Sequence, residues 1–250
     1  QQRIGSLELQ FSSGWNETND FEDGRFIKKW GETSWGDAIL QGPHLYVSTP
    51  LYKRPNKTMK HNQDWTSTDL EVLPADALPI TQYKPAGSRT IYDRLYTHWG
   101  DSSARDHYRI AWRRMAKNTN ERTLIPVIIP PGATHVHTTY STAVHSKDLS
   151  LLPLILASAS TLLADFQIRA RSRNDIINQD FERLPCLDKT HLFTPQVVLR
   201  TLRLNCLTDA YADLWAECWD DSFVTDAPIL ERYDERPIGP NWTADTPLRW

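Results

Sequence analysis

Cysteine is scarce in this 250-residue chain: Cys186, Cys206 and Cys218 form an odd set with no C-x-x-C spacing. Neither a disulfide framework nor a zinc knuckle is supported, and a reducing cytoplasm is the default setting. Long apolar runs are missing as well. The uncharged stretch Leu149 to Ala164 is 16 residues and is broken by Pro153, Ser158, Ser160 and Thr161, whereas a membrane span needs about 20 predominantly apolar residues. The sequence predicts no transmembrane helix and no membrane partner. The opening Gln1-Gln2-Arg3-Ile4-Gly5 has neither an initiator Met nor an apolar signal core, so a processed chain or a piece of a longer one is expected. No G-x-x-x-x-G-K-[ST], G-x-S-x-G or H-E-x-x-H occurs, which removes the motif-borne routes to phosphate binding, serine hydrolysis and zinc proteolysis. There is no internal repeat and no low-complexity tract.

Charge is present but unevenly spread. The net charge of −3 comes from 28 Lys+Arg and 31 Asp+Glu, of which residues 209–250 hold 3 and 10. Residues 1–208 therefore carry 25 basic and 21 acidic side chains, so the near-neutral total does not exclude a polyanionic partner. The apolar content of 40% lies below the roughly 45–50% of globular averages.

The patterning predicts an α+β fold, with a β-rich part over residues 1–147 and a helical part with an acidic, loop-rich tail over 148–250. Ser6 to Phe11 alternates as a strand, Ala38 to Val47 reads as another interrupted by Gly42-Pro43, and Pro-rich residues 50–90 read as irregular surface. Tyr108, Ile110 and Trp112 alternate against Arg109, Ala111 and Arg113, and Arg122 to Pro130 is an apolar β-rich run, predicting a hairpin. Val136 to Ala143 continues in that style. Leu149 to Arg171 has helical apolar spacing and reads as one helix, Pro195 to Thr208 and Asp209 to Trp219 as two more, and the stretch from Asp226 as loop.

Two basic groups stand out as candidate sites. Arg105, Arg109, Arg113, Arg114, Lys117 and Arg122 are opposed only by Asp106 and Glu121, with Asn118, Thr119 and Asn120 supplying short donors in the intervening turn. Arginine outnumbers lysine 19 to 9 in the chain, and its planar fork matches phosphate oxygens and the guanine O6/N7 edge. The competing reading is a strand face held by ion pairs. The second group, Lys53, Arg54, Lys57 and Lys60, is interleaved with Tyr52, His61 and Trp65, a composition suited to backbone contacts and base stacking; a solvated loop without a partner is the alternative. His135-x-His137 with His145 lacks a completing ligand and reads as ordinary strand polarity rather than a metal site. The ten Trp residues admit a carbohydrate-binding reading, although Trp112, Trp215 and Trp219 fall in periodic segments that suit a core. A protein-interaction domain docking through the acidic 209–235 region is a further alternative.

A family resemblance then emerges. Gln41-Gly42-Pro43-His44-Leu45-Tyr46-Val47, Pro50-Leu51-Tyr52-Lys53, His61-Asn62-Gln63-Asp64-Trp65 and Asp69-Leu70 resemble the specificity region of large adenine-N6 DNA methyltransferases of the type IIG restriction-modification and phage-defence kind. Arg109-Ile110-Ala111-Trp112-Arg113-Arg114-Met115-Ala116, Asn118 to Pro126 with its N-E-R-T run, Ile129 to Gly132, the Leu151–Arg171 helix, Phe181 to Leu187 with its L-P-x-L element, and Arg203 to Trp215 are similar to the same region in the same order. The resemblance covers about residues 40–220. It implies a TaqI-like target recognition domain that binds double-stranded DNA, with Arg109, Arg113, Arg114, Lys117, Asn120 and Arg122 contacting DNA from the hairpin and Lys53, Arg54, Lys57 and Lys60 from the loop. Arg113 and Arg122 are equally open to a structural role, because a run shared by enzymes of differing specificity does not distinguish DNA sequences. Base readout is expected from 53–68 and 84–105, where the resemblance is weakest. Neither an S-adenosylmethionine motif nor [DN]-P-P-[YF] is present, and Pro130-Pro131-Gly132 is a proline turn. The resemblance thus implies no catalytic residue and no cofactor in this chain; S-adenosylmethionine and the chemistry would belong to a methyltransferase domain upstream of Gln1.

Overall fold

The computed structural model describes residues 2–117, 119–146, 148–171, 174–226 and 243–245. Its strands are β1 (Leu9–Ser12), β2 (Phe26–Glu32), β3 (Ile39–Leu40), β4 (Lys53–Pro55), β5 (Trp65–Ser67), β6 (Ile80–Pro85), β7 (His98–Trp99), β8 (Ser102–Ser103), β9 (Arg109–Arg113), β10 (Pro126–Ile129), β11 (Thr134–His135) and β12 (Thr139–Val144). The α-helices are α1 (Asn19–Glu22), α2 (Arg89–Leu95), α3 (Leu151–Ala159), α4 (Leu162–Arg169), α5 (Asn178–Glu182), α6 (Thr194–Asn205) and α7 (Ala212–Glu217). The fold is α+β, β-rich towards the N-terminus and helical towards the C-terminus. Most of the expected tail loop, beyond residue 226, lies outside the described residues.

The organising element is an antiparallel sheet in the order β1-β12-β9-β10. The expected hairpin is there, with Trp112 opposite Pro126 and Arg109 opposite Ile129. Successive strand residues point to opposite faces, and here both faces are covered. Tyr108, Ile110, Trp112 and Ile128 enter a core built with Leu152, Ile155, Leu156, Leu199, Leu202 and Trp215 of the helices. Ala111, Val127 and Ile129 enter a second core with Ala38, Leu40 and Leu45 from the N-terminal layer.

Trp112 joins sheet to helices most directly. Its ring stacks on Phe181 at 4.3 Å and 4°, and its indole N–H donates to the Ile176 carbonyl at 3.0 Å. β10 ends the sheet, and an edge strand carries unpaired backbone groups. Asn205 covers them: its Oδ1 accepts from Ile128 N at 2.7 Å and its Nδ2 donates to Ile128 O at 3.1 Å.

Several expectations are corrected. Leu149 to Arg171 is two helices bent by 59°. Thr161 takes an extended conformation and its hydroxyl accepts from Ala164 N, so it caps a new helix rather than continuing the old one. The break turns Leu162 (75% exposed), Leu163 and Phe166 outward, although their spacing suggested one buried face. Ala38 to Val47 is strand only at β3, followed by a 3₁₀ turn at Gly42–His44. Ser102–Ser103 forms β8, and Ala104–Asp106 follows as a 3₁₀ turn. No single helix among the described residues is long and apolar enough to cross a membrane.

Candidate nucleic-acid interface

The two basic groups have opposite fates. Arg109 lies on the β9 face that the N-terminal layer covers and is completely buried. Its guanidinium donates to the Ala133 carbonyl, to Tyr96 Oη at 3.3 Å and to the His107 carbonyl at 3.4 Å; burial pushes its pKa down. The expectation that Arg109 touches DNA is therefore corrected: its donors are consumed inside the fold. Arg113, four residues on, donates to the carbonyls of Gly42 (2.7 Å) and Leu45, and burial lowers its pKa also. Arg105 is buried on Asp93 and on the Gly36 and Gly132 carbonyls.

Arg114 forms a two-donor pair with Asp175 at 2.9 and 3.1 Å. Arg122 donates to the carbonyls of Ser160 (2.8 Å) and Thr161 (3.3 Å), near the buried Asp165 carboxylate at 3.5 Å. Asp165 accepts from the amides of Thr123 and Leu124 at 2.7 and 2.8 Å, and Arg169 approaches its other side at 3.3 Å. The N-E-R-T turn is thus fastened to α4. Of the first group Lys117, Thr119 and Asn120 are exposed; Asn118 lies outside the described residues.

Some of the segments that carried the family resemblance are joined to one another, and one is tied to the N-terminus. The Gly42–His44 turn is gripped by Arg113 of β9, the N-E-R-T run holds α4, and the L-P-x-L element bonds to the N-terminus through Ile4 N to Leu184 O and Cys186 N to Gln2 O, both at 2.9 Å.

Residues 53–67 behave differently. β4 and β5 pair as a two-stranded ribbon, Lys53 opposite Ser67, Arg54 opposite Thr66 and Pro55 opposite Trp65. Its base is fixed. Trp65 packs edge-on against His44 at 4.7 Å, Tyr52 N donates to His44 O at 2.9 Å, and His44 Nε2 contacts the Ile80 carbonyl at 3.0 Å. Burial holds His44 down to about 4, so it is neutral at physiological pH. Arg113, the Gly42–His44 turn and the ribbon base are therefore one continuous support.

Beyond that base, Arg54, Lys57 and Lys60 are exposed and Lys53 is half-buried over the Tyr52 ring at 5.0 Å. None of the four forms an ion pair among the described residues. Asp64, the sole carboxylate of this segment, is turned onto the tip's own backbone, accepting from Lys60 N at 2.5 Å and His61 N at 3.1 Å. Those amides, that of Lys60 foremost, hold its carboxyl below the usual range.

A neighbouring contribution was not visible in the sequence. Trp30 of β2 donates its indole N–H to the Pro55 carbonyl at 2.7 Å, bringing the exposed Lys28-Lys29-Trp30 segment beside the ribbon. The Lys-Lys-Trp string was the only available signal. β2 pairs with β6, about fifty to sixty residues away in sequence, so its placement depends on a long-range register.

Among the described residues no group of three His, Cys, Asp or Glu is arranged to hold a metal. His135 is buried and bonded to Ser141 Oγ at 2.7 Å, while His137 accepts from Glu17 N at 3.1 Å. Fold and site together define an α+β domain presenting a cationic, aromatic-flanked β-ribbon on a rigid base. No family model matches the chain, and no curated protein matches it.

Proposed function

We propose that this chain is a target recognition domain that binds duplex DNA for an adenine-N6 methyltransferase whose catalytic domain lies elsewhere in the parent protein. The observation that carries the reading is the ribbon of residues 53–67, with four cations that form no ion pair among the described residues, beside Lys28-Lys29-Trp30. A B-DNA major groove admits a two-stranded β-ribbon. Lysine and arginine that neutralise phosphates release condensed counterions and so supply affinity. The family resemblance adds the methyltransferase context, and the buried arginines of β9 fit a shared framework that carries variable recognition loops. Lys117 and Asn120 remain candidates for backbone contact at a second point.

In this reading the methyl donor, S-adenosylmethionine, and the reacting adenine are held by the catalytic domain. This chain helps offset the few kcal/mol of extruding a base by gripping the surrounding duplex. Its setting is the cytoplasm, which suits three buried, unpaired cysteine thiols.

Titration of the chain with duplex DNA over a range of salt concentrations tests the proposal. A log–log slope of about −0.9 per phosphate contact is expected, hence steep weakening with salt. A flat slope, or no binding at low salt, contradicts it. Methyl transfer by the chain alone contradicts the absence of catalysis. The protein-interaction alternative concerns the acidic 209–235 region, which lies partly outside the described residues; the outward Leu162, Leu163 and Phe166 of α4 are a separate observation that favours a protein partner, and one bound there would be retained when the ribbon is neutralised.

A further inference from the structure

Within the ribbon the register separates one cation from the others. On β4 the side chains alternate: Lys53 lies over the Tyr52 ring and Pro55 is buried, so both belong to the side that packs on the protein. Arg54, between them, projects to the opposite, exposed side, and its cross-strand partner Thr66 is exposed with it. The Thr66 hydroxyl donates to Asn56 Oδ1 at 2.7 Å, which fixes a polar surface next to Arg54. The Arg54 guanidinium forms no hydrogen bond or ion pair among the described residues, unlike Arg105, Arg109, Arg113, Arg114 and Arg122 of the β9 region. Lys57 and Lys60 stand further out, at the tip.

This geometry matches a division of labour in the major groove. Phosphate contacts position a protein, whereas base edges specify the sequence. Lysine acts as a flexible point charge, whereas arginine offers a rigid planar fork matched to guanine O6 and N7. A two-stranded ribbon entering the groove presents its exposed face to the base edges and its tip to the backbone.

We propose that Arg54 is the specificity-determining residue of the ribbon, reading a guanine through O6 and N7 in the major groove, with Lys57 and Lys60 on flanking phosphates. This rests on the duplex-binding reading above. The experiment selects preferred duplexes from a randomised pool with the full chain. It then compares wild type, Arg54→Lys and Lys57→Ala on the selected duplex, on one with the candidate guanine pair changed, and on one with that guanine replaced by 7-deazaguanine. Thermal unfolding is monitored alongside.

Wild type should prefer the selected duplex over both altered ones by about tenfold, within the range of one bidentate pair. Arg54→Lys should keep its affinity for the altered duplexes within about twofold and narrow the preference, because it retains the charge but not the rigid fork. Lys57→Ala should weaken binding to all three duplexes equally and keep the preference. An unchanged preference in Arg54→Lys, indifference of wild type to 7-deazaguanine, or selection that returns no preferred sequence overturns the assignment to Arg54 while leaving duplex binding in place. Absence of duplex binding by wild type at low salt removes the underlying reading and this assignment with it.

Discussion

Two stretches of this chain are rich in cations, and the fold uses them in opposite ways. Around β9 and the turn after it, arginines are spent on carbonyls and carboxylates: Arg109 on Ala133, Arg113 on Gly42 and Leu45, Arg114 on Asp175, Arg122 on the start of α4. Along 53–67 the cations form no ion pair among the described residues, on a ribbon anchored through Trp65 on His44 and through Trp30 on the Pro55 carbonyl. Charge density in sequence is therefore a poor guide to charge at the surface. What decides is whether another layer covers the strand face, because a covered guanidinium must find acceptors inside or lose its hydration uncompensated.

The strongest way to break this comparison is to attack the framework. Asp165→Ala leaves Arg122 and Arg169 without their shared carboxylate and two amides without an acceptor. A loss of about 3–5 kcal/mol is expected, as for a broken buried pair, read by urea denaturation. Arg109→Leu is expected to cost about 2–3 kcal/mol, since three acceptors lose a buried donor. If either variant were as stable as wild type, these arginines would not be framework residues.

A smaller effect comes from pH. Burial holds His44 down to about 4 and His135 to about 3, below the ordinary 6.5. The unfolded chain therefore binds more protons in the interval below 6.5, and stability must fall as the pH drops from there towards 4. The expected slope is about 1.4 kcal/mol per pH unit for each histidine, measured by denaturation at several pH values. His135→Gln should lower the stability at neutral pH but make its pH dependence shallower.

At the small end, Lys57→Ala should change stability by less than about 0.5 kcal/mol and reduce the salt slope of duplex binding by about 0.9. A variant that lost stability here would place Lys57 in the framework instead.

Much of this was legible in the sequence, and the failures have physical causes. Alternation over 108–113 assigned Ile110 and Trp112 to one face and Arg109 and Arg113 to the other, which is what the sheet shows. It could not say that the arginine face would be covered too, because the covering residues, Ala38 to Leu45, are some seventy positions away. The hairpin of β9 and β10 is local and was readable. The break at Thr161 was not, because a capping threonine within an apolar repeat looks like one more tolerated helix residue. Lys28 and Lys29 were overlooked because only the β2–β6 pairing and the Trp30–Pro55 bond bring them to the ribbon.

The most direct test of the account is duplex DNA binding across salt by the variant carrying Lys53→Gln, Arg54→Gln, Lys57→Gln and Lys60→Gln together, beside wild type and with unfolding measured on both. Near-wild-type stability, a salt slope shallower by about 1.8 from the two phosphate-facing lysines, and affinity reduced by about a hundredfold or more are predicted. Unchanged affinity and slope in a folded variant would contradict it, and would move the interface away from the ribbon.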